Sequence, residues 1–241
     1  MKVFSSLQDA ITNIRGCFCL GCRTFQTPMV EQRPNNGRTT VWILCGIPGT
    51  GKSTIAEILA QSYPPFSCVI ISRDETRTGL LHDMEHLDED TRKRRLSMMD
   101  ELTTWEVISR LQRLITDTPK KERRAAIIID GCHTDYMAVM HLLLCLNEMG
   151  NDVIVNFVVL GDADSVCCHA INDKKEGDYS DYGPKGFHQS LPDCVVKRKR
   201  QEMHDLIKNH SNDIVALVDE VYCIPDCFDR FARQHRPLFD K

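Results

Sequence analysis

The segment Gly46-Ile47-Pro48-Gly49-Thr50-Gly51-Lys52-Ser53 constrains this chain more than any other. It fits the pattern G-x-x-x-x-G-K-[ST], follows the apolar run 41–45 and opens a segment, 54–62, of helical character. A strand, a glycine-rich turn and a helix in that order make a cradle for phosphate. Glycine lets backbone N–H groups turn inward, and the start of the helix adds positive potential. Lys52 is expected to reach the β- and γ-phosphates, and the Ser53 hydroxyl to ligate Mg²⁺. The expected nucleotide site is therefore Gly46, Ile47, Pro48, Gly49, Thr50, Gly51, Lys52, Ser53 and Thr54, holding ATP with magnesium.

Further apolar runs lie at 67–71, 125–129 and 153–159, with a weaker one at 220–224. They are continuous, as in parallel strands covered on both faces. Helical segments at 54–62, 89–117, 136–149 and 195–208 alternate with them. The long segment is expected to turn Met98, Leu102, Trp105, Ile108 and Leu111 to one side. This order predicts an α/β doubly wound, mostly parallel sheet of four to five strands with helices on both faces. The 241 residues suit one domain and a short extension. The division expected is 1–38, an extension with an amphipathic stretch at 4–15 and a turn-rich linker at 32–38, then 39–241, the α/β domain.

Composition narrows the setting. A net charge of -4 excludes a uniformly basic nucleic-acid coat. No apolar stretch approaches the ~20 residues that span a bilayer. The polar start Ser5-Ser6-Leu7-Gln8-Asp9 does not read as a secretory core, so a cytosolic protein is expected. Among the 12 cysteines, Cys45, Cys68 and Cys145 sit in apolar runs and are expected to be reduced packing residues. Cys17, Cys19 and Cys22 supply three of the four ligands structural zinc requires, and only the distant Cys223 and Cys227 offer more; no zinc site is expected.

The phosphate acceptor must lie beyond the carboxyl ends of the strands. The second strand ends Ile71-Ser72-Arg73-Asp74-Glu75-Thr76-Arg77. If a helix begins there, Asp74 and Arg77 share a face. Asp74 can then take a proton from an attacking hydroxyl while Arg77 holds an anionic group of the acceptor; the plainer reading is a helix-start acid with a surface ion pair. The third strand ends Ile129-Asp130-Gly131-Cys132-His133. Asp130 either binds Mg²⁺ through water or orients Arg77, unless it merely closes the strand at an Asp-Gly turn. His133, two residues beyond that turn, is expected to reach the acceptor, with a structural or solvent role as the plainer reading.

GIPGTGKST, SRDETR and IIIDG together resemble the kinase half of the phage polynucleotide 5′-hydroxyl kinases, a branch of the P-loop kinase superfamily, over residues 41–208. The resemblance implies an ATP-dependent phosphotransferase that acts on the 5′ end of RNA or DNA in nucleic-acid end repair. It implies that Lys52 and Ser53 bind ATP and magnesium and that Asp74 is the general base. It also implies that Arg77 grips the phosphate beside the hydroxyl, supported by Asp130. Two departures stand out. The family's lid supplies an arginine, whereas the corresponding stretch 172–191 contains none, leaving Lys174, Lys175 and Lys185. Nothing after residue 208 resembles the family's phosphatase.

The stretch 172–191 is polar and glycine-rich, and is expected to be a lid bringing Lys174 or Lys175 to the ATP phosphates. Three basic runs, at 92–95, 120–124 and 197–200, offer at most one contact with a polyanion. Two other functions fit the same residues: a kinase of a small acceptor (nucleoside, nucleotide, sugar or aminoacyl group), and a nucleotide-dependent partner-binding protein with weak chemistry.

Overall fold

Valine and isoleucine dominate the strand segments, and their branched side chains favour extended backbone buried on both faces. The structure, a computed structural model, describes residues 38–48, 50–160 and 193–224. Strands β1 (Thr39–Cys45), β2 (Cys68–Ser72), β3 (Ala126–Asp130), β4 (Val153–Leu160) and β5 (Glu220–Ile224) form one sheet. Their order is β2-β3-β1-β4-β5, and every pair is parallel. The helices are α1 (Lys52–Gln61), α2 (Arg73–Asp83), α3 (Glu89–Ser97), α4 (Met99–Ile115), α5 (Tyr136–Glu148) and α6 (Asp193–Leu217).

Alternate residues of the strands face opposite layers. Ile43, Ile129 and Phe157 pack under α4, α5 and α6, whereas Leu44, Ile128 and Val158 pack against α1. The expected α/β architecture, with helices on both faces, is the one observed. The connections leave β1 toward β2 on one side, and β3 is followed by β4 on the other. A crevice where strand order reverses is where such sheets bind ligands.

Two elements differ from expectation. The segment 89–117 is not one helix. It breaks at Met98, whose backbone (φ -105, ψ 11) is non-helical. The break turns α4 so that Met99, Thr103, Thr104, Val107, Ile108, Leu111 and Ile115 are buried. Of the stripe expected, Ile108 and Leu111 are buried, whereas Met98 and Trp105 are 49% and 57% exposed. Two threonines take the core positions because their hydroxyls are satisfied within the helix: Thr103 donates to the Met99 carbonyl at 2.7 Å and Thr104 to that of Asp100 at 2.9 Å. The last helix runs to Leu217, beyond the expected 208, because Ile214 continues the buried stripe of Val196, Met203 and Leu206. Residues 1–37 of the expected extension 1–38, with their cysteines, lie outside the described residues. Cys45, Cys68, Cys132, Cys145 and Cys194 are in no disulfide. No helix among the described residues is long and apolar enough to cross a membrane.

The basic run at 120–124 is largely bound internally. Lys120 Nζ and Arg123 Nη1 donate to the two oxygens of Asp152 at 2.6 and 2.8 Å, and Arg124 donates to the Phe66 carbonyl. Arg123, then Lys120, hold the Asp152 carboxyl below its usual range. A depressed folded pKa means that this contribution is full above the ordinary carboxylate value and is lost as pH falls through the folded one. Asp152→Asn is therefore expected to lower the denaturation midpoint at neutral pH. The gap from the parent should close as both are titrated to low pH, read by urea melts across a pH series.

Candidate active site

The phosphate loop is shaped by its own backbone demands. Gly46 follows β1, and its N–H donates to the Cys132 carbonyl at 2.9 Å, tying the loop to the turn after β3. A Cβ on Gly46 would lie 2.7 Å from Thr50 Oγ1, so the loop closes only over glycine here. Gly51 starts α1 in the left-handed region (φ 78), open to glycine at little cost. Ile47 is buried, and its carbonyl accepts from Thr50 Oγ1 at 2.9 Å and from Lys52 Nζ at 2.6 Å. Lys52 thus folds over the loop, inside the cradle. Pro48 and Thr54 lie in the loop and the first turn of α1; Gly49 is outside the described residues.

Register brings the acceptor side alongside. Ser72 pairs with Asp130, so the ends of β2 and β3 are flush. Ser53 Oγ donates to Asp130 Oδ2 at 2.7 Å, joining the phosphate loop to the end of β3. Asp130 is 9% exposed, and burial raises its pKa against the opposing pull of the Ser53 hydroxyl and Lys52; Asp74 and Glu75 push it further up. Two hard oxygen donors joined in this way suit Mg²⁺, which keeps several waters and takes one or two protein ligands beside phosphate oxygens. Among the described residues no cluster of three or more His, Cys, Asp or Glu is placed to hold a metal ion by itself.

Ser72 caps α2, its Oγ accepting from the Glu75 N–H at 3.2 Å. Asp74 is exposed in the first turn, close enough to Asp130 and Arg73 to bear on both charges. Arg77 is not oriented by Asp130, which is engaged with Ser53. It pairs instead with Asp100 of α4 at 3.3 Å. His133 is interior, 5% exposed, with a left-handed backbone (φ 42) and a buried Nε2 that makes no hydrogen bond. Burial, then the charges of Arg73, Lys52 and Lys199, drive its pKa well below the usual value, so the ring is neutral. Lys174 and Lys175 lie outside the described residues, as does the expected lid.

Several neighbours of the site escaped the sequence reading. Arg73 lies across Gly131, and a Cβ there would fall 2.5 Å from Arg73 Cδ and 2.9 Å from Cγ. Its guanidinium donates to Thr104 Oγ1 at 2.9 Å and to the Asp100 carbonyl at 3.4 Å. The register is what sets this contact, since the residues that follow Ser72 and Asp130 emerge side by side. Behind the turn, Thr134 Oγ1 donates to Glu202 Oε2 at 2.8 Å, and Lys199 and Arg198 pair with the same carboxylate. That network ties α6 to the turn and absorbs much of the basic run at 197–200.

The AAA domain family profile matches residues 41–182, more than half of the chain. No curated protein matches the sequence. Among solved structures, a chain from the PezAT chromosomal toxin-antitoxin system of Streptococcus pneumoniae is 14% identical, with a TM-score of 0.47, covering 94% of this chain and 80% of that one. Kti12 of Chaetomium thermophilum, solved with ADP-AlF3, is 11% identical, with a TM-score of 0.49 and coverage of 83% and 97%.

The packing of Arg73 on Gly131 makes a direct prediction. Gly131→Ala should displace the arginine stem and lower stability by about 1–3 kcal/mol, as overpacking does. Most of that loss should vanish in an Arg73→Ala background, a non-additivity that a double-mutant cycle of denaturation curves measures.

Proposed function

The chain belongs to the AAA domain family, and from that membership and the site geometry we propose an ATP-dependent kinase that transfers the γ-phosphoryl group to a hydroxyl. The proposed acceptor is the 5′-hydroxyl of RNA or DNA, as the resemblance to the phage polynucleotide kinases implies. Residues 39–241 are read as the catalytic domain, 172–191 as its lid and 1–38 as an extension. The observation that carries this reading is the flush end of β2 and β3: the Ser53–Asp130 hydrogen bond lies on one side and the exposed Asp74 carboxylate on the other.

In the proposed reaction the backbone of Gly46 to Ser53 binds the triphosphate. Lys52 releases the Ile47 carbonyl and turns to the β- and γ-phosphates. Ser53 and Asp130 would hold magnesium, which would offset the negative charge of the phosphates. Arg77 positions the acceptor by an anionic group near its hydroxyl. Asp74 takes the hydroxyl proton as the acceptor oxygen bonds to the γ-phosphorus and the bond to ADP breaks. Lys174 and Lys175 belong, in this reading, to the lid that closes over the phosphates. Positioning and electrostatics supply most of the acceleration. His133 is buried and neutral, and supports the turn from beneath.

One observation favours a smaller acceptor. Between Ser72 and Asp100 eight carboxylates outnumber six Lys and Arg, so the segment that carries Asp74 and Arg77 is not basic overall. A kinase of a nucleoside, nucleotide or similar molecule with one local anion fits that balance. Salt separates the two readings: phosphate contacts along a strand make the oligonucleotide KM climb steeply with ionic strength, and a single contact does so weakly. For either acceptor, Asp74→Asn is expected to lower transfer at least ~100-fold, the scale of a lost general base. ATP binding, followed by calorimetry, should persist; equal loss of both would assign Asp74 to the nucleotide.

A further inference from the structure

Arg73 and Arg77 stand four residues apart on α2 and so share a face. Both meet the same residue of α4. Arg73 donates to the Asp100 carbonyl at 3.4 Å and to Thr104 Oγ1, one turn on, at 2.9 Å; Arg77 Nη1 lies 3.3 Å from Asp100 Oδ1. The two arginines are held very differently. Arg73 is half-buried, its stem pressed across Gly131. Arg77 meets Asp100 through an exposed pair, with side chains 50% and 67% accessible.

We propose that the Asp100 carboxylate occupies the position of the acceptor's anionic group and competes with it for Arg77. Asp100 thereby weakens the hold on acceptors that carry a phosphate beside the reacting hydroxyl, leaves neutral acceptors untouched, and so narrows the preference between the two. This rests on reading Arg77 as the acceptor's cation. An exposed carboxylate–guanidinium pair is worth at most a factor of about five in an equilibrium. A phosphate accepts two parallel, charge-assisted hydrogen bonds from the same guanidinium, and so displaces the carboxylate. A neutral acceptor offers nothing to displace it with, and Arg77 stays on Asp100. The anchored Arg73 keeps the neighbouring positive charge fixed throughout. Asp100 also sits in the first turn of α4, where an acid favours the helix, but Glu101 does the same from the next position. A helix-start role alone would make the two interchangeable.

The test uses the full chain and two acceptors of one shape: a 5′-hydroxyl dinucleotide with a phosphodiester link, and its uncharged methylphosphonate counterpart. Asp100→Asn is expected to lower KM for the phosphodiester about two- to fivefold, leaving KM for the methylphosphonate and for ATP where they were. Glu101→Gln, which removes a helix-start charge away from Arg77, should change none of the three. In an Arg77→Gln background the effect of Asp100→Asn should disappear. A phosphodiester KM that is unchanged or raised in Asp100→Asn overturns the proposal and makes Asp100 a support for Arg77 or a bystander. If the parent chain phosphorylates neither dinucleotide, the kinase reading for this acceptor fails by itself. The competition is then read by calorimetric binding of the phosphodiester, where tighter binding to Asp100→Asn upholds it and equal binding overturns it.

Discussion

Strand β3 is paired on both sides by parallel neighbours, and its final residue, Asp130, ends level with Ser72 of β2. Each feature of the candidate site refers back to that pairing. It carries Asp130 to the Ser53 hydroxyl, sets Gly131 beneath Arg73, and leaves Asp74 two residues past the cap of α2. A slip of one residue would exchange the two faces of the strand. Ile127 and Ile129 would then trade places with Ile128 between two different helix layers. Hydrophobic packing well away from the phosphate loop thus fixes the chemistry's geometry.

Electrostatics at the site are arranged around groups held in unfavourable surroundings. Burial pushes the Asp130 carboxyl up, while Ser53 and Lys52 pull it back. The His133 ring is kept neutral among cations. Arg73, largely desolvated, has its pKa lowered by burial and is supported by Asp100. Such tension is common where a protein prepares to receive a charged ligand, because a divalent ion or a phosphate relieves it.

The phosphate loop was legible from sequence because its information is local: glycine, lysine and serine at fixed spacing between a strand and a helix. The sheet was legible too, since continuous Ile and Val runs have few other homes. Long-range geometry was not. The identity of Asp130 suggested a tie to Arg77, but register gave it to Ser53 and left Arg77 to Asp100, a residue inside a helix whose start was hidden in a longer periodic segment. Helical spacing set Trp105 on one stripe with Ile108 and Leu111, yet threonines with self-satisfied hydroxyls took places on the buried face. Arg73 carried no signal at all, because only the adjacency of two strand ends brings it over a glycine.

Of the three basic runs, two are tied to carboxylates at their roots, Asp152 and Glu202. The third lies on α3, which buries none of its side chains and is set off from α4 by the break at Met98. Arg92 through Arg95 are all exposed, so the interior packing does not constrain them: their charges can be exchanged without opening a hole in the core or disturbing the sheet.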